Sequence, residues 1–240
     1  AGGSNTASGL SSFVGSGCGN TASGNCGSVV VGGMTNVASG LSSFVGGGCG
    51  NDATQAGSAV VGGHSNCASC KGTFVGGGFN NRAMGDFATV AGGQCNTSCG
   101  KFGSIGGGCN HDAQDCFATI GGGLCNCASN YGTIGGGESN SACGCCHSTI
   151  GGGKNNEATA CEVTIAGGRD NCATEDGATI GGGKGNIACV CYSTIGGGQN
   201  NSIDSAAFGT IAGGAQNQVS CGACAFIGGG YSLSAHSCFD

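Results

Sequence analysis

Twenty-one of the 240 residues are cysteine. A thiol in such numbers has two ordinary fates, a bond to another thiol or a bond to a metal ion. Cys67/Cys70, Cys143/Cys146 and Cys221/Cys224 have the Cys-x-x-Cys spacing of zinc ligands. A zinc ribbon brings together two such pairs about 15–20 residues apart. The three pairs here lie much farther apart than that, so no metal or other cofactor is expected. Cysteine at this frequency is typical of disulfide scaffolds. It favours an oxidising location: secreted, cell-surface or on a virion exterior. The odd total leaves at least one thiol free or paired to another chain.

Other chemistry is sparse. His64, His111, His147 and His236 fall at variable positions and read as exposed turn residues, because nothing near them supplies a nucleophile and an orienting partner. The Gly-Gly-Gly runs lack the Lys-[Ser/Thr] that completes a phosphate-binding loop. A calcium-binding nonapeptide roll places Asp where this chain has Asn. The chain is therefore not expected to be an enzyme. Six Lys+Arg and a net charge of −6 make a poor footprint for nucleic acid. No run of 18 apolar residues exists to cross a membrane. Asn96-Thr97-Ser98 and Asn200-Asn201-Ser202 fit the N-glycosylation sequon.

What must position the thiols is a repeat. The stretch "TIGGGKNNEAT", Thr149–Thr159, stands for a unit that recurs along the whole chain. Its Asn column runs from Asn5 to Asn217, with Leu233 in the last slot, covering 228 residues in fifteen steps, or 15.2 per step. A Val or Ile lies six residues before Asn, and an Ala lies two after it in most copies. Ile105 stands five before Asn110, yet Ala113 keeps the usual interval of eight from Ile105. The register follows the apolar residues, so these face inward. Ile134, Ile150, Ile165 and Ile180 are expected core residues, with Ala142, Ala158 and Ala173.

Fifteen residues are too few for a helical-hairpin repeat, and Gly with Val/Ile disfavours helix. The expected fold is all-β: a parallel β-solenoid of about 16 coils over 1–240 as one repeat domain. Coils at strand spacing, about 4.8 Å, would make a rod of roughly 75 Å. Asn126, Asn140, Asn156, Asn171 and Asn186 would form a structural ladder of stacked amides. Successive coils would also bring cysteines within bridging range. Cys145 and Cys161 lie eleven after the Ile of adjacent coils, Cys221 and Cys238 ten and eleven after theirs. Cys95, Cys109 and Cys125 lie one before Asn in three successive coils. These seven are the candidate disulfide cysteines.

The segment "NVASGLSSFVGGGCGNDA", Asn36–Ala53, resembles the head repeats of trimeric autotransporter adhesins and of phage and algal-virus tail-fibre-like proteins. That resemblance implies a left-handed β-roll, packed as a homotrimer, and an adhesive role. The coil is about one residue longer than the adhesin unit, and the cysteines are foreign to those heads.

The expected function is a structural subunit of an extracellular fibre or appendage, braced by disulfides. The chain begins and ends inside a repeat, which suggests head-to-tail stacking. The alternative is an adhesin or receptor-binding trimeric segment that contacts a cell surface or glycan. Ice binding ranks lower. A hydroxyl column exists at Thr119, Thr133, Thr149, Thr164, Thr179, Thr194 and Thr210, but the paired Thr-x-Thr array is missing. Self-association is the partner expected.

Overall fold

The computed structural model describes residues 2–220 and 224–235. The chain divides into two compact units, Ala1–Gly123 and Leu124–Asp240. Among the described residues both are all-β, and every strand is two residues long. Each unit is a parallel β-solenoid built from the same coil.

The first unit holds sixteen strands, from Thr6–Ala7 to Thr119–Ile120, in two parallel sheets of eight. One sheet pairs Thr6 with Thr21 and Ala7 with Ala22; the other pairs Phe74 with Thr89 and Val75 with Val90. Among its described residues the second unit holds fifteen strands, from Cys127–Ala128 to Ser234–Ala235. Its register is the same: Thr149 pairs with Thr164 and Ile150 with Ile165, then Glu157 with Cys172 and Ala158 with Ala173. A third side carries a single bridge per coil, such as Lys154 to Arg169 to Lys184.

Alternation within each two-residue strand turns one side chain in and the other out. Val30, Val45, Val60, Ile105, Ile134, Ile150, Ile165 and Ile180 are fully buried, as are Ala142, Ala158 and Ala173. A further inward column escapes a reading of the motif alone. It is the residue two before the inward Val/Ile: Ser28, Ser43, Ser58, Ala118, Ser148, Val163, Ala178 and Ser193 are all buried. The interior of a coil is thus one Val/Ile, one Asn, one Ala and one small residue. In one coil the two columns trade volume. Ile203 occupies an Ala slot, and the small column answers with Gly209, where an added Cβ would lie 3.1 Å from the Ile203 side chain.

Backbone donors pass to the next coil: Thr149 N–H to Val163 O at 2.8 Å, Gly151 to Ile165 at 2.9 Å, Lys154 to Gly168 at 2.9 Å. Two corner residues per coil reverse the direction. Asn155 (φ 52°) and Glu162 (φ 58°) are left-handed, which flips the peptide, and their N–H groups donate back to Glu138 O and Cys146 O, both at 2.9 Å.

The third glycine of the triplet has its own requirement. Gly17, Gly33, Gly48, Gly63, Gly78, Gly93, Gly108, Gly123, Gly137, Gly153, Gly168, Gly183, Gly198, Gly214 and Gly230 all have positive φ. A Cβ on Gly153 would strike the carbonyl of Gly168. In the same triplet the middle glycine faces open space: at Gly152 the nearest atom to such a Cβ is 3.8 Å away.

From Asn20 to Asn217 the Asn column is buried, with Asn110 the exception. Its bonding is more than amide on amide. Asn156 Nδ2 donates to Gly152 O and Gly168 O, both at 3.0 Å, so it ties the glycine corner of its own coil to that of the next. Its Oδ1 accepts the backbone N–H of Asn171 at 3.1 Å. Asn126, Asn140, Asn171 and Asn186 sit in the same column.

At the register defect the expectation for His111 needs correction. Asn110 is an exposed left-handed corner (φ 55°), and His111 takes the ladder slot. His111 is buried, and its N–H donates to Asn96 Oδ1 at 3.0 Å. The cause is the one visible at Ile105: the apolar residues set the register, and whatever stands six after them goes inside.

Candidate functional site

Three cysteines of the second unit fall in one unusual coil. Ile134 to Ile150 is sixteen residues, against fifteen from Ile150 to Ile165. The additional residue falls between Ala142 and Ser148, in the run Cys143-Gly144-Cys145-Cys146-His147. The backbone shows which residue is in column. His147 (φ 55°) and Glu162 (φ 58°) are equivalent corners, and Glu162 N–H donates to Cys146 O. Cys146 is therefore the register mate of Cys161, and Cys145 is the added neighbour.

Cys145 and Cys161 are joined by a disulfide with Cα atoms 5.1 Å apart, within the usual range for a bridge. Cys146 Sγ lies 3.1 Å from Cys161 Sγ. All three sulfurs lie within 4.8 Å of one another. Cys145 is exposed; Cys146 and Cys161 are half-buried. On the preceding side, Cys127 Sγ and Cys143 Sγ are 3.0 Å apart. Five cysteines from three coils thus make two sulfur contacts between adjacent coils, Cys127 with Cys143 and Cys145/Cys146 with Cys161.

The other candidate cysteines are placed differently. Cys95, Cys109 and Cys125 are free thiols. Cys109 bridges to Gln94 in the third-side column, whereas Cys95 is a left-handed corner, so the two are not in one column. The shift is the same one-residue defect that brings His111 inside. Cys221 and Cys238 lie outside the described residues.

Burial alters several thiols. Cys172 is pushed up to about 11, first by burial and then by the Glu157 carboxylate. Cys67 and Cys99 are also raised, chiefly by burial. These thiols are held in the less reactive neutral form.

With the disulfide reduced, Cys145, Cys146 and Cys161 would offer three soft ligands. A closed tetrahedral zinc site needs four, and among the described residues no His or carboxylate joins the group. His147, next in the chain, packs its ring at a tilt against Tyr131, with ring centroids 4.8 Å apart.

Other surfaces hold different features. In the first unit Phe87, Phe102 and Phe117 occupy one left-handed corner and stack at 5.3 and 5.0 Å. Lys71 and Lys101 lie over the Phe87 and Phe102 rings. Such stacking contributes about 0.5–1.5 kcal/mol per pair, which offsets the cost of a bulky residue at positive φ. Outward on the same unit, Phe13, Val31, Phe44, Val61 and Phe74 expose apolar side chains. In the second unit the column that corresponds to Phe13, Phe44 and Phe74 carries threonine at Thr149, Thr164, Thr179 and Thr194, in parallel register. Ser65 Oγ lies 2.8 Å from His64 Nδ1, while the His64 ring stacks on Phe79. A hollow near the chain's end is lined by Phe226, Ile227, Gly228, Leu233, Ser234 and Ala235, none of them titratable. Of the sequons, Asn96 is buried with its amide donating to Gly92 O and Gly108 O, whereas Asn200 is exposed.

No protein-family model matches the chain, and no curated protein matches it.

Proposed function

We propose that the protein is a structural subunit of an extracellular fibre or appendage. The observation that supports this most is the uniformity of the coil. In each unit one coil hands its backbone donors to the next in fixed register, and the interior is filled by the same four kinds of residue. Such a coil is a template for another coil, so subunits could stack end to end through the bonds that already join coils. Disulfides would brace the assembly, which suits an oxidising location. The cysteine cluster around Cys145 and Cys161 supports that part of the reading.

The experiment is electron microscopy of native material beside non-reducing and reducing gels. Long filaments that shorten or dissociate on reduction are the expected result. Short particles of one size, unchanged by reduction, would overturn the reading.

A second reading is a trimeric adhesin or receptor-binding segment. The outward apolar side chains of the first unit favour it: Phe13, Val31, Phe44, Val61 and Phe74 give a face on which chains could pack side by side. Sedimentation would show a discrete trimer under that reading and open-ended assembly under the first.

A further inference from the structure

We propose that Cys145, Cys146 and Cys161 form an intrachain thiol–disulfide exchange site, in which Cys161 shuttles its bridge between two adjacent partners. The argument begins with register. A fifteen-residue coil presents one residue at the position before the corner, and Cys161 occupies it in its own coil. The sixteen-residue coil beneath presents two cysteines to that single position. Cys146 is the in-column mate by backbone pairing, yet the bond is made to Cys145. The displaced thiol has not been carried away: its sulfur rests 3.1 Å from Cys161 Sγ.

Exchange needs a thiolate in contact with one sulfur of a disulfide. Here the nucleophile is Cys146 and the attacked atom is Cys161 Sγ. As the Cys146–Cys161 bond forms, the Cys145–Cys161 bond breaks and its electron pair leaves on Cys145. Cys145 then takes up, through water, the proton that Cys146 gave up. One disulfide and one thiol enter and leave, so no external oxidant or reductant is consumed. The brace between the two coils survives in either isomer. What changes is the free thiol: half-buried Cys146 in one, exposed Cys145 in the other. The site thereby delivers a thiol to the surface without unfastening the coils. Because the thiolate attacks, the exchange accelerates as pH rises toward the thiol range.

The test is disulfide mapping of the full chain, purified without reductant. Samples are held at pH 8, quenched in acid, alkylated, and sequenced by fragmentation between residues 145 and 146. Wild type is expected to contain both linkages, with label found on Cys145 and on Cys146. C145S is expected to form the Cys146–Cys161 bridge, cutting alkylation of Cys161 on the order of tenfold relative to a C145S/C146S double variant. C146S is expected to hold the Cys145–Cys161 bridge alone. Wild type that carries only the Cys145–Cys161 linkage after incubation would overturn the proposal. So would a C145S chain, with a wild-type circular dichroism spectrum, whose Cys161 stays fully open to alkylation. The wild-type map does not depend on any variant folding.

Discussion

The backbone N–H of Asn171 donates to the side-chain Oδ1 of Asn156, one coil below, at 3.1 Å. The same Asn156 side chain holds the glycine carbonyls of two coils. One buried amide therefore satisfies three backbone groups. Asn156→Ala should leave them unpaired, at about 1–3 kcal/mol each for those water cannot reach. Asn156→Asp should be at least as damaging, because a carboxylate cannot donate to either glycine and its charge would be buried. Chemical denaturation of each variant against wild type checks both.

The three glycines of a triplet should respond unequally. Gly153→Ala places a Cβ against the Gly168 carbonyl and forces a positive φ on alanine, so it should melt well below wild type. Gly152→Ala meets open space and should melt within about 3 °C of wild type, corresponding to less than about 1 kcal/mol. Thermal melts of the pair, measured side by side, decide this; equal losses would show that the corner geometry is wrong.

The inward isoleucines should behave as core. Ile150 is fully buried between the paired Ile134 and Ile165. Ile150→Ala should cost about 2–5 kcal/mol, whereas Ile150→Val should cost about 0.5–1.5 kcal/mol. Urea titration followed by circular dichroism measures the difference.

Much of this architecture is legible in the sequence, since Val/Ile and Ala recur at fixed intervals and only an inward column demands that. The position two before the inward Val/Ile is harder to read. It accepts Ser148, Val163, Ala178 and Gly209, so no single residue type marks it. His111 is legible only if the apolar register is followed from Ile105, because the polar motif points to Asn110 beside it. At the thiol cluster, counting forward from Ile134 and Ile150 points to Cys145, and counting back from Thr149 and Thr164 points to Cys146. Both counts are sound, since the added residue lies between the two anchors. The sequence holds the ambiguity, and only the folded backbone shows both sulfurs beside Cys161.

Thiol reactivity should follow burial. Cys172, raised to about 11 first by burial and then by Glu157, should alkylate at pH 8 on the order of a hundredfold more slowly than an ordinary exposed thiol near 8.5. Glu157→Gln removes the nearby negative charge, favours the thiolate and should speed the reaction. Mass spectrometry of timed alkylation gives both rates; an unchanged rate in the variant would remove the carboxylate from the explanation.

The central claim is that successive coils stack in register with Val/Ile, Asn and Ala inside. Carbon-13 correlation spectra of chain labelled at isoleucine test it most directly. The account predicts strand-type backbone shifts and side-chain contacts from Ile150 to Ile134 and to Ile165, with none from Ile150 to Ile195. Helical shifts, or no contact between Ile150 and either neighbour, would contradict it.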